Sequence, residues 1–114
     1  TWSATVPVVE QGARDSGVAC DVLDLRSLWP WDEEAVVSSA ARTRRLLVVH
    51  EAVTTGGFGA EVIARVTERL GPGGLDAVQR LGAARAPVPF SPPLEDAIRI
   101  TPARVAKTIQ EMAG

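Results

Sequence analysis

The stretch Leu46-Leu47-Val48-Val49-His50-Glu51-Ala52-Val53-Thr54-Thr55-Gly56-Gly57-Phe58-Gly59-Ala60-Glu61 constrains this chain more than any other. Leu46 to Val49 is wholly apolar, the pattern of a short strand covered on both faces, as in a parallel sheet. Gly56, Gly57 and Gly59 let the backbone turn sharply and let another group come close. From Ala60 onward Ile63, Val66 and Leu70 recur at helical spacing, so the chain returns along the sheet. A strand, a tight turn and a returning helix are half of a crossover unit, whose hand is almost always right.

The flanking sequence supplies the rest of such a unit. Trp2 reads as the end of a strand, and Ser3 or Thr5 can cap a helix that tolerates Pro7 in its first turn and stops at Gly17. Val18 to Leu25 is β-rich and reads as the next strand. Trp29-Pro30-Trp31 is a rigid link, after which Asp32 caps a helix with Glu33 and Glu34 in its first turn. Arg42, Arg44 and Arg45 suit the negative end of that helix's dipole. Gly71-Pro72-Gly73-Gly74 stops the helix after the central strand, and Leu75 to Leu81 has room for one more strand. Pro87, Pro89, Pro92 and Pro93 favour an extended surface crossing between Gly82 and Ile100. Thr101-Pro102 opens a last helix whose buried stripe is Val105, Ile109 and Met112. Alternating strands and helices predict one domain over 1–114, a three-layer α/β/α sandwich with a mostly parallel mixed sheet.

Several function classes are disfavoured by composition. A net charge of -2 lacks the basic surplus of a nucleic-acid binder, and no apolar run approaches the roughly 20 residues of a membrane span. The one cysteine, Cys20, has no partner for an internal disulfide and reads as a buried strand residue in a reducing, cytoplasmic (bacterial) setting. Thr1-Trp2-Ser3, without a start methionine, reads as part of a longer chain whose first strand is incomplete.

His50 is the single histidine and stands at the carboxyl end of a strand, the address of functional groups in α/β sheets. No second histidine or cysteine stands near it in sequence, so packing or subunit contact is the better reading. One histidine and one cysteine far apart give no metal site. The Thr55 to Glu61 turn invites a phosphate, but its spacing is not G-x-G-x-x-G and Glu61 would repel an anion. Glu33-Glu34 and Glu95-Asp96 are adjacent carboxylates that do not converge on one substrate. No catalytic, cofactor-binding or metal-binding residue is therefore assigned. Trp29 and Trp31 either anchor a subunit contact or pack over a helix end of their own domain.

Three motifs, in order, carry a resemblance. They are Asp24-Leu25-Arg26-Ser27-Leu28-x-Pro30-x-Asp32-Glu33-Glu34, then His50-Glu51-Ala52 with Thr55-Gly56-Gly57-Phe58-Gly59-Ala60-Glu61, then Pro87-Val88-Pro89-Phe90 with Pro93-Leu94-Glu95-Asp96. The chain resembles the carboxyl-terminal, transketolase-like domain of the beta subunit of 2-oxo acid dehydrogenases, with a lean toward the branched-chain enzymes over pyruvate dehydrogenase. The resemblance implies an intact enzyme that oxidatively decarboxylates a 2-oxo acid with thiamine diphosphate and magnesium held outside this segment. The acyl group would pass to the lipoyl arms of a dihydrolipoyl acyltransferase. It implies an α2β2 assembly with an alpha subunit and a second beta subunit, for which His50, Thr55, Gly56, Gly57, Phe58, Trp29 and Trp31 are the candidate contact residues from the reading above. It also implies docking of the acyltransferase's subunit-binding domain on Asp76, in a Leu75-Asp76-Ala77 passage with Val78 where the family carries proline, and on Gly114. The fragment by itself would be an inactive assembly domain. The competing expectation is a free-standing nucleotide- or phosphate-binding module that uses the Gly56 to Gly59 turn.

Overall fold

In the computed structural model, which describes residues 1–114, the apolar run becomes strand β1 (Arg45–Val53). The chain leaves it through the glycine turn, returns in helix α3 (Phe58–Leu70) and re-enters the sheet as β2 (Ala77–Ala83), parallel to β1. Arg45 to Val49 pair in step with Ala77 to Leu81, and pairing resumes at Val53 opposite Ala83. His50, Glu51 and Ala52 therefore bulge out opposite Gly82, and a bulge of this kind bends a strand and re-aims its side chains.

Four helices cover the two faces. Helices α2 (Glu33–Thr43) and α3 lie on one side, where Val48 meets Val36, Ala40, Val62 and Val66. Helices α1 (Val6–Ser16) and α5 (Pro102–Ala113) lie on the other, where Val49 meets Val9 and Val105. The period-2 alternation of β1 thus feeds two cores, and each fully buried valine contributes about 1.5–3 kcal/mol. Gly12 permits the close crossing of α1 and α5, since a Cβ there would lie 2.6 Å from that of Val105. The chain is the expected three-layer α/β sandwich, with regular pairing confined to two parallel strands.

Local signals set the helix ends. Asp32 Oδ1 accepts from the Ala35 amide at 3.0 Å, Thr101 Oγ1 accepts from Arg104 at 3.3 Å, and Gly17 closes α1 with φ +69°. Arg65 and Arg69 of α3 bridge to Glu33 and Glu34, so the first turn of α2 is tied to its neighbour as well as solvated.

Three sequence expectations need correction. Residues 82–100 are not wholly extended: β2 runs on to Ala83, and Pro92–Ile98 form a short helix, α4, because prolines at its first positions remove only amides that would lack helical partners anyway. Val18 to Leu25 is not a regular strand. It is extended and alternates faces, Leu23 and Leu25 toward α2 and α3 and Val22 toward α1 and α5, but it has no ladder. Cys20, at the open edge of that segment, is exposed, with its Sγ donating to the Val18 carbonyl at 3.3 Å.

Candidate functional site

The carboxyl end of β1 is the first candidate. The bulge turns His50 inward, where its side chain is 0% exposed and stacks on Trp2 with ring centroids 5.3 Å apart. Phe58, the first residue of α3, meets Trp2 edge-on at 5.7 Å and Trp31 edge-on at 6.4 Å, so four rings close the corner. Neither imidazole nitrogen has a hydrogen-bond partner. Burial pushes the His50 pKa down. The Ala52 backbone opposes this in part without reaching hydrogen-bond geometry, and the positive charge of Arg80 adds to the fall. The ring is thus neutral at pH 7.

The glycines of the motif are spent on this ring. A Cβ on Gly59 would lie 2.6 Å from His50 Nε2, and one on Gly57 would lie 2.5 Å from the Val53 carbonyl and 2.8 Å from His50 Cε1. Gly82 was missed in the sequence, where it read as the start of the crossing. Its Cβ would lie 2.7 Å from the Ala52 carbonyl, directly under the bulge. The signal was available: a glycine inside a strand marks a bulge or a close backbone approach. Gly56 differs, with open space around it and φ +75°, so it serves the turn itself.

His50, Thr55, Gly56, Gly57 and Phe58 were expected together at a subunit surface. They are neighbours, but His50 lies wholly inside, because the bulge aims it at the core, and it cannot touch another chain directly. Thr55 and Gly56 are exposed and Gly57 and Phe58 half-buried, so the turn itself is the accessible part. The two tryptophans also separate. Trp31 packs against Phe58, whereas Trp29 is 86% exposed.

The amino end of β1 is the second candidate. Arg44 ends α2 in the left-handed region, φ +58°, and its guanidinium forks onto both oxygens of Asp76, at 2.9 and 2.7 Å. It also donates to the Gly73 carbonyl, while its own carbonyl accepts from the Asp76 amide at 2.7 Å. Arg44 holds the Asp76 carboxyl below the usual carboxylate range. The next residue, Arg45, reaches the other way and donates to the Met112 carbonyl at 2.8 Å, two residues before Gly114. Asp76 and the end of α5 are therefore each bonded to the amino end of β1, through adjacent arginines whose sequence reading is only that of a helix end.

These residues do not fit a diphosphate with its magnesium. The chain has no grouping of three His, Cys, Asp or Glu side chains able to hold a metal ion. The cavity beside Asp21 is lined mostly by hydrophobic side chains, and that carboxylate is already bonded to Ser39 and Arg42.

Residues 1–105 match the transketolase C-terminal domain family. The chain is 46% identical over 71 residues to 2-oxoisovalerate dehydrogenase subunit beta 2, mitochondrial, of Arabidopsis thaliana, covering 60% of this chain and 20% of that one. It is 38% identical over 101 residues to the acetoin:2,6-dichlorophenolindophenol oxidoreductase subunit beta of Bacillus subtilis, covering 88% and 29%. It is 37% identical over 97 residues to the pyruvate dehydrogenase E1 component subunit beta, mitochondrial, of Ascaris suum, covering 84% and 27%. The chain thus spans between a fifth and under a third of these relatives' lengths. Identity is higher to the branched-chain relative, over a shorter stretch. The relatives include mitochondrial and bacterial proteins, and no helix of the chain is long and apolar enough to cross a membrane.

Proposed function

The chain belongs to the transketolase C-terminal domain family, and from that premise we propose that it is the assembly and docking module of a thiamine-diphosphate-dependent 2-oxo acid dehydrogenase beta subunit. The intact enzyme would decarboxylate a branched-chain 2-oxo acid or pyruvate oxidatively and load lipoyl groups. Thiamine diphosphate and magnesium would be held by other parts of that enzyme, consistent with the donor chemistry here. The exposed turn at Thr55 and Gly56, with Phe58 behind it and Trp29 beside the link, would face an alpha subunit or a second beta subunit in an α2β2 assembly. Asp76 and the Gly114 end would face the subunit-binding domain of the dihydrolipoyl acyltransferase.

One observation carries the docking proposal: adjacent arginines at the amino end of β1 tie Asp76 on one side and the end of α5 on the other to the same strand end, although they are distant in sequence. A cationic group on the acyltransferase would share the Asp76 carboxylate with Arg44, a charge-assisted contact suited to orientation and fast encounter. The experiment is a calorimetric titration of the subunit-binding domain into the intact α2β2 enzyme. Asp76→Asn should weaken binding by at least about tenfold. An unchanged dissociation constant removes Asp76 from the docking surface.

The phosphate-binding alternative loses its main support. The close approach that the glycines allow is taken by His50, Glu61 stands in the first turn of α3, and Arg80 is engaged with the Thr54 carbonyl at 2.8 Å.

A further inference from the structure

His50 is the one titratable side chain buried in this chain, and nothing around it is built to receive a proton. Protonation puts an N–H on each ring nitrogen, and neither nitrogen has a hydrogen-bond partner. The charged groups that face the ring are Arg80 from β2 and the terminal amine of Thr1, on the segment that carries Trp2, and both are positive. The start of α3 brings up the backbone of Gly57 and Gly59 and no carboxylate. Stacking on Trp2 would return part of the cost to a cationic ring, but it supplies neither an acceptor nor hydration.

The seal over this ring is thin. A Cβ on Gly59 would lie 2.6 Å from Nε2 and one on Gly57 3.3 Å from it, so bare glycine backbone covers this nitrogen below the exposed turn at Thr55 and Gly56. The Thr54 amide donates to the Ala83 carbonyl at 3.1 Å, and the Ala60 amide donates to the Gly57 carbonyl at 3.0 Å. Arg80 donates to the Thr54 carbonyl at 2.8 Å. The Arg80 bond is the vulnerable one, since a cationic ring repels the same guanidinium that holds the turn. Neither core includes a residue of 54–57, so the turn can lift without emptying them.

We infer that His50 is an acid-operated latch: on taking a proton, the ring drives the Thr54–Gly59 segment off it and admits water to Nε2, while the two cores stay folded. Burial holds the ring's pKa below 6.5 while the turn is closed, and a solvated ring titrates near 6.5. Opening therefore gains as pH falls below 6.5 and stops gaining once the closed ring also takes the proton. The latch stands apart from the docking and assembly readings. Where the turn faces another subunit, acid would loosen that contact.

The test is hydrogen–deuterium exchange mass spectrometry on the intact protein between pH 7.5 and pH 5.5, with intrinsic exchange rates divided out. Protection of a peptide spanning Thr54–Gly59 should fall by at least about threefold over this range, with about tenfold per pH unit as the ceiling. Low urea should speed exchange in α5 and leave that of the turn unchanged, because a local opening exposes little surface. His50→Leu should abolish the pH dependence. Arg80→Gln, at an exposed position, should shrink the ratio between the two pH values, and it decides the matter if His50→Leu does not fold. Turn protection independent of pH, a pH dependence that survives His50→Leu, an Arg80→Gln ratio equal to wild type, or turn exchange that follows urea as α5 does would each overturn the inference.

Discussion

The two ends of β1 solve opposite problems with the same strand. At its carboxyl end His50, Trp2, Phe58 and Trp31 are packed around glycines, with a neutral imidazole and no ion pair to the ring. At its amino end Arg44, Arg45 and Asp76 are half in water, and each side chain is held by charge-assisted bonds. The first end stabilises the fold through shape, which salt does not screen. The second contributes orientation and a charged surface, which salt does screen. The comparison assigns stability to one end and recognition to the other.

The largest effect should come from Gly59→Ala. Its Cβ would meet a ring pinned by Trp2, and overpacking of this kind costs about 1–3 kcal/mol, measurable as a lower midpoint of chemical denaturation. An unaltered midpoint would break the claim that the corner is fitted to His50. Next, Trp31→Ala should cost about 1 kcal/mol through lost packing on Phe58, below the full-burial figure because the ring is only half-buried, whereas Trp29→Ala should stay within about 0.5 kcal/mol, both read by thermal unfolding.

A pH series gives a smaller, signed effect. The folded pKa of His50 is depressed, so above the unfolded value of about 6.5 both states are neutral and the contribution of the buried ring is fully present. As pH falls through that value the unfolded chain takes up the proton first, and stability is lost until the folded pKa is reached. The slope from this group cannot exceed about 1.4 kcal/mol per pH unit. His50→Leu should flatten the fall in melting temperature between pH 6.5 and the acid range. The smallest effect is at the other end: Arg44→Gly should leave thermal stability nearly unchanged, since it removes a left-handed non-glycine residue along with the exposed fork to Asp76. A large loss of stability there would erase the distinction between the two ends.

Much of the fold was legible because its signals are local. Asp32, Thr101 and Gly17 act on amides and dihedrals a few residues away, and they cap the helices as their types predict. The three ordered motifs pointed to the family that residues 1–105 match. The site was less legible. The paired tryptophans gave one motif in sequence but two fates in space, because only Trp31 falls within reach of Phe58. Gly82 was hidden because its meaning depends on a bulge in another strand. Helix α4 was hidden by prolines that a first helical turn accepts without loss.

By itself the sequence determined the central strand, its glycine turn, the helix that returns from it and the helix termini, since each depends on periodicity or on bonds spanning a few residues. Only the tertiary structure decided that His50 turns inward, that Asp76 is clamped by Arg44, and that Val18–Leu25 stands apart from β1. Those outcomes rest on which distant segments come within a few ångströms of each other, and the strand register and bulge that bring them there are properties of the assembled sheet.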